Sequence, residues 1–227
     1  IYGSSFVSSS DVWAVGSSAI QNTRPLIDHW DGTSWTVSST LNDITGLLFG
    51  ASARSSTDVW AVGQVGSQTL VSHWNGAAWS IIPSPNLGTY DTLTAVAAIS
   101  ASDVWAVGQS IVPNQNYILM HWDGTAWSLV AAPVAANSSL AGLKAFASNN
   151  VWAVGYQNYN LNANTSSTFI MHWDGALWSV VPSPNVDAGN YLNGTDGLAP
   201  NDLWAVGYSG NGPSVTHTLA LHWDGVT

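Results

Sequence analysis

The 227-residue chain has no cysteine and no glutamate, and only three of its residues are lysine or arginine. Without cysteine there are no disulfides, thiolate metal sites or thiol nucleophiles. Three cations cannot neutralise a run of phosphates, which excludes nucleic acid as a partner and an anionic membrane surface with it. No apolar run approaches the roughly 20 residues that a membrane-spanning helix needs, so no membrane insertion is expected. All 13 acids are aspartate, and the formal charge is −10. Charged residues make up 7% of the chain, against about 25% in an ordinary soluble domain. Solubility therefore falls to Ser, Thr, Asn and Gly. That composition points to a secreted or cell-surface protein. With Ile at position 1 and no signal-peptide pattern, the chain is expected to be a processed product or part of a longer one. Asn137, Asn164 and Asn193 each open an Asn-x-Ser/Thr triplet, the acceptor pattern for glycosylation.

Apolar residues, at 46%, suffice for a packed core, and they are arranged in a repeat. Asp-Val-Trp-Ala-Val-Gly starts at Asp11, Asp58 and Asp103, with variants at Asn150 and Asp202. Its Trp falls at 13, 60, 105, 152 and 204. A second string, His-Trp-Asp/Asn-Gly, starts at His29, His73, His121, His172 and His222, and in the first four units another Trp follows at 35, 79, 127 and 178. Each unit reads as four short strands. The first carries a small third residue (Gly3, Gly50, Ala95, Gly142, Gly194) and the second is the β-branched and aromatic Val-Trp-Ala-Val-Gly segment. The third is an apolar run ending in His-Trp, and the fourth begins at the last Trp. Asp-Gly or Asn-Gly between the last two is a strong hairpin signal. It predicts a two-residue turn with positive φ at both positions, placing Trp30 opposite Thr33. Four antiparallel strands at this period predict an all-β, five-bladed β-propeller. The blades run approximately over 1–40, 41–87, 88–136, 137–187 and 188–227 of a single domain, and the fifth lacks its outer strand.

The Asp-Val-Trp-Ala-Val-Gly and His-Trp-Asp-Gly-x-x-Trp repeat resembles that of secreted or cell-surface bacterial β-propeller proteins. The resemblance covers all five units and implies the propeller fold without an assigned activity.

The 14 Trp residues all belong to the repeat, which makes them core residues first. The five motif His residues lie two strands out from a propeller axis, too far apart to share one ion. A hydrogen bond within each unit suits them better: Asp11–His29, Asp58–His73, Asp103–His121 and Asp202–His222, with Asn150 in the fourth. Neither metal nor cofactor is expected.

Length varies in only two connections of each unit, second-to-third strand and fourth-to-first, and both fall on one end of the fold. Loops on a rigid scaffold are the usual place for binding. Tyr90, Tyr117, Tyr156, Tyr159, Tyr191 and Tyr208 lie in or beside these connections, as do Asn116 and Asn158. Tyr and Asn with little charge resemble a paratope: phenol faces stack on sugar rings, and amides serve hydroxyls. The expected function is a non-catalytic extracellular binding or adhesion module, with a glycan or protein ligand. One alternative is a self-assembling surface module, completed along the open edge at Leu219, Leu221 and Trp223 by a strand from another copy. The other is a carbohydrate-active hydrolase. A glycosidase needs two carboxylates about 5–10 Å apart, and Asp91 and Asp196 are the best pair outside the motif.

Overall fold

The computed structural model describes residues 1–18, 23–38, 41, 44–112, 115–211 and 216–226, with only the backbone of Gln115 and Asn116. No described residue is helical. The first sheet comprises β1 (Gly3–Ser8), β2 (Asp11–Ser18), β3 (Arg24–Trp30) and β4 (Trp35–Val37). The second comprises β5 (Gly46–Ser55), β6 (Asp58–Val65), β7 (Gln68–Trp74) and β8 (Trp79–Ile81). The third comprises β9 (Asp91–Ser100), β10 (Asp103–Val112), β11 (Gln115–Trp122) and β12 (Trp127–Leu129). The fourth comprises β13 (Ser139–Ala147), β14 (Asn150–Asn160), β15 (Thr165–Trp173) and β16 (Trp178–Val181). In every four-stranded sheet the spatial order follows the chain. The fifth has three strands, β17 (Gly189–Ala199), β18 (Asp202–Gly210) and β19 (His217–Trp223), with β19 at its edge. These sheets match the five repeat units.

The chain forms two compact units, Ile1–Ala106 with Met120–Leu129, and Val107–Leu119 with Val130–Thr227. In the first unit, Trp13, Val15 and Ile27 of the first sheet pack against Leu48, Val59, Ala61, Leu70 and Trp79 of the second, with Trp74 beside them. In the second unit, Trp152, Val154 and Ile170 of the fourth sheet pack against Leu192, Leu203, Ala205 and Leu219 of the fifth, with Trp223 beside them. Both faces of a sheet held between neighbours must be apolar, which explains why Ile118, Leu119 and Met120 are all buried on one strand. In the first, second and fourth sheets the small residue of the first strand answers to backbone proximity. A Cβ on Gly142 would lie 2.9 Å from the Gly194 Cα, and one on Gly50 would lie 2.8 Å from the Thr94 carbonyl oxygen.

The hairpins between third and fourth strands differ from expectation. Gly32, Gly76, Gly124 and Gly175 have φ between +92° and +97°, while the preceding Asp or Asn keeps an ordinary backbone. Trp30 pairs with Trp35, not Thr33, so the loop holds four residues. The cause is the aspartate: Asp31 Oδ1 accepts from the amides of Thr33 and Ser34, both at 2.8 Å. Capturing two successive amides curls the chain further than a two-residue turn allows. Those bonds also hold the Asp31 carboxyl down at about 2, with the Thr33 hydroxyl contributing most.

The predicted His–Asp pairs are present. His29, His73, His121 and His222 Nε2 each lie 2.9 Å from the motif aspartate, and His172 Nε2 lies 3.1 Å from Asn150 Oδ1. Each ring also lies over the Trp of its own unit, at centroid distances of 4.2–4.4 Å. Burial opposes ionisation of Asp11, but the bond from His29 and others outweigh it and hold its carboxyl below the ordinary range. Two tryptophans depart from the core role: Trp35 is 52% exposed and Trp204 48%. By contrast, Trp13 is 2% exposed, with Trp74 and Trp79 of the second sheet both lying on it.

Candidate functional site

Four tyrosines of the second unit meet in one cluster. Tyr156 follows the motif Gly of the fourth sheet and Tyr208 that of the fifth, so both leave the scaffold at the same strand position. Tyr191 is the cross-strand partner of Tyr208, and their rings stack at 4.7 Å and 20°. Tyr156 meets Tyr191 edge-on at 5.2 Å and Tyr159 at 5.9 Å. Edge-to-face and offset geometries are the favourable ones for such rings. Burial, with the neighbouring phenols adding to it against a bond to Ser139, pushes the Tyr156 hydroxyl above its ordinary value. Burial and the same neighbours raise Tyr208. Both phenols therefore stay neutral well beyond physiological pH.

A cleft of about 670 Å³ opens beside the cluster, lined by Tyr156, Tyr159, Asn137, Asn158, Asn160 and Gln109 among others, with no charged residue. Two connections build it. The amides of Asn158 and Tyr159 donate to the carbonyls of Ala136 and Asn137, at 3.0 and 3.1 Å. This ties the tip of β14 to the segment before β13. Asn137 and Asn158 hold φ of 47° and 56°, a left-handed backbone that Asn tolerates better than most residues. Such conformations persist where surrounding structure over-determines them, and they concentrate at functional sites. The arrangement offers phenol faces beside an uncharged wall of amide donors and acceptors.

The remaining expected contacts divide. Tyr117 is fully buried: its ring lies 5.7 Å from Phe169 and its hydroxyl donates to the Pro133 carbonyl. Burial pushes it up to about 12. It is a core residue because both faces of β11 are buried here, Tyr117 together with Ile118, Leu119 and Met120, which removes it from the ligand contacts. Tyr90 belongs to the first unit, where its hydroxyl donates to Gln64 Oε1 at 2.9 Å. The side chain of Asn116 lies outside the described residues. Among the glycosylation candidates, Asn137 and Asn193 are exposed and Asn164 is half-buried. At the open edge, Leu219 is buried in the core while Leu221 and Trp223 are half-buried.

Sequence reasoning placed Asn160 in these loops with Asn158, but missed Gln109, Ala136, Ser138 and Leu161 in the cleft, and the role of Asn137 as its wall. One usable signal was present: the residue after the motif Gly is Ser17, Gln64, Gln109, Tyr156 and Tyr208 in turn, so aromatic character at this site is confined to the last two units.

The two carboxylates suited to hydrolysis are otherwise engaged. Asp91 is buried and accepts from the amides of Leu87 and Gly88, fixing the loop before β9. Asp196 is paired with Lys144 at 2.5 Å. Asp187 accepts from Ser209 and Asn211 and lies 3.0 Å from His217 Nδ1. Ser209 and His217 both bond to the acid rather than to each other, so this set is not a nucleophile–base relay. Among the described residues no group of three or more His or Asp is placed to hold a metal ion.

No family model and no curated protein matches the sequence. Solved structures do. The SapL1 lectin in complex with alpha methyl fucoside aligns with a TM-score of 0.66 at 16% identity, over 97% of this chain and 75% of the lectin. The six-bladed β-propeller fucose lectin of Aleuria aurantia aligns at 0.57 and 15%, over 96% of this chain and 74% of that one. YCF48 bound to D1 peptide aligns at 0.56 and 16%, over 89% of this chain; the chain spans 59% of the YCF48 length. At these identities the likeness shows the β-propeller fold and nothing of function.

Proposed function

We propose that this protein is a five-bladed β-propeller acting as a non-catalytic, extracellular glycan-binding module, secreted or held at a cell surface. The cluster of Tyr156, Tyr159, Tyr191 and Tyr208 beside the amide-lined cleft carries the reading. A sugar ring presents an apolar face and a rim of hydroxyls. Phenol rings cover the first, and Asn137, Asn158 and Asn160 serve the second. The uncharged lining favours a neutral sugar over an anionic one. Two similar structures are lectins, one with a bound fucoside, which adds support. A glycan array that includes fucosides, followed by titration of any hit, tests the proposal. Tyr159→Ala and Asn158→Ala are each expected to weaken binding about tenfold, or about 1.4 kcal/mol. Unchanged affinity in both variants, or no glycan bound, would overturn it. The fold is shared with YCF48 bound to a peptide, so a parallel peptide array tests the protein-ligand alternative.

A further inference from the structure

The connection that supplies one wall of the cleft differs from its equivalents in the second and fourth units. There the fourth strand runs on into Ser84-Pro85-Asn86 and Ser183-Pro184-Asn185, placed identically after Trp79 and Trp178. A threonine of the third strand, four residues before the motif His, binds each of these straps. The amides of Thr69 and Thr168 donate to Asn86 and Asn185 Oδ1 at 2.8 and 2.7 Å. Their hydroxyls meet those of Ser84 and Ser183 at 2.8 Å and donate to the carbonyls of Pro85 and Pro184 at 3.2 and 3.4 Å. The chain then turns back on itself: the amides of Leu87 and Gly88 donate to Asp91, and those of Val186 and Asp187 to Asn190. In the third unit the same places hold Tyr117 and Ala132-Pro133-Val134. The serine hydroxyl and the asparagine amide of the strap are gone, and the Tyr117 hydroxyl donates to the corresponding carbonyl, that of Pro133. Ser138 stands where Asp91 and Asn190 stand, two places before the first-strand Leu. Its hydroxyl donates to the Ala135 carbonyl at 2.6 Å instead. The carbonyls of Ala136 and Asn137 receive the amides of Asn158 and Tyr159 from the tip of β14.

We infer that Tyr117 is a positioning residue for the cleft. A threonine hydroxyl stands one bond from Cβ, whereas a tyrosine hydroxyl stands across a whole ring. Bonding to the corresponding carbonyl, Tyr117 holds Pro133 farther from its strand than Thr69 and Thr168 hold Pro85 and Pro184. The ring is a strut. It is fully buried and lies against Phe169, and in a close-packed interior it has no room to swing and shorten the reach. A buried hydroxyl needs a partner, so ring and strap are fixed together. The displaced segment is delivered to the tip of β14, where Ala136 and Asn137 accept two amides and Asn137 becomes the cleft wall. Tyr117 acts on binding only through that segment. The glycan reading is needed for the binding readout alone; the strap geometry does not depend on it.

Transplanting the other strap tests this. The triple variant Tyr117→Thr, Ala132→Ser, Val134→Asn gives the third unit the residues that the second and fourth use. Amide hydrogen exchange, thermal unfolding and titration with the neutral saccharide that binds best on the glycan array are followed in the full chain. The amides of Asn158 and Tyr159 are expected to exchange about tenfold faster, while those of Ala153 and Val154 in the same strand keep their protection. Saccharide affinity is expected to fall about tenfold with them. Tyr117→Phe keeps the ring without the hydroxyl and serves where the triple variant does not fold; it is expected to speed exchange at the same two amides alone, by about threefold. Unchanged exchange at Asn158 and Tyr159 in a folded variant overturns the inference. Faster exchange all along β11 and β14 also overturns it, because Tyr117 is then a core residue and no more. Local loss of protection with unchanged affinity overturns its role in binding. If the wild type binds no saccharide on the array, the glycan reading fails and the exchange alone decides the positioning role.

Discussion

The sheet pair that opens the chain and the pair that closes it are built from the same residues in the same register, yet they differ at two places. The first pair buries Trp79 on Trp13; the last has a pocket there. At the loop end, the first unit places Gln64 after its motif Gly, holding Tyr90 and Thr92 through one amide oxygen. The last pair places Tyr156 and Tyr208 at the same position and assembles four rings around them. The scaffold thus tolerates opposite chemistries at a fixed position. What a unit does depends on the residue that leaves the conserved strand and on what covers it.

The largest expected effect tests the core. Trp13→Ala should cost about 3–5 kcal/mol in urea unfolding. Trp152→Ala should cost less by about 0.5–1.5 kcal/mol, the worth of the missing aromatic pair. Equal costs would show that Trp79 adds nothing to the burial of Trp13. Next come two glycines of equivalent position. Gly142→Ala must push a Cβ against the backbone of Gly194 and should cost about 1–3 kcal/mol. Gly194→Ala meets only Val206 Cγ2 at 3.9 Å and should fall within about 0.5 kcal/mol of wild type. A large loss at Gly194 would show that the inner strand of the fifth sheet is covered in solution.

A smaller effect is expected at the loop end. Tyr208→Gln installs the residue of the second sheet and removes the 4.7 Å stack on Tyr191. Stability should drop by about 0.5–1.5 kcal/mol, and glycan binding should weaken with it. Retained affinity would confine the site to Tyr156 and Tyr159.

The smallest effect is a titration. His172, whose partner Asn150 carries no charge, is held below the ordinary histidine range by burial, with Asp174 opposing. The unfolded chain takes up its proton near pH ~6.5, before folded His172 does. The stability stored in the neutral ring is therefore complete above about pH 6.5 and declines as pH falls through the lower folded value. Asn150→Asp supplies the acid that the other four sheets carry and should raise the His172 titration midpoint in an NMR pH series. An unchanged midpoint would show that burial alone sets it.

Much of this architecture was legible before any coordinates. The repeat located the strands, because apolar alternation and Asp-Gly signals recur at one period. Sharing one strand end made each Asp–His pair a local consequence of antiparallel pairing; four sheets carry it, and in the fourth sheet Asn150 takes the place of the acid. The hairpins were misread for an equally local reason: positive φ at Gly was legible, but the aspartate captures two amides and lengthens the loop. The candidate site was legible only in part. Tyr156, Tyr159, Tyr191 and Tyr208 come together, whereas Tyr117, of the same type and also beside a loop, turns inward against Phe169.

By itself the sequence determined the strands, their antiparallel order within each unit, and the hydrogen bonds between residues of one hairpin. All of these depend on neighbours along a short stretch of chain. Only the tertiary structure decided which residues face water. Trp35 and Trp204 carry the same motif identity as Trp79 and Trp60, yet they are about half exposed while their counterparts are buried. Burial belongs to what packs on a side chain: Trp79 is covered by Trp13, and Trp60 by Trp127, each from a neighbouring sheet far along the chain.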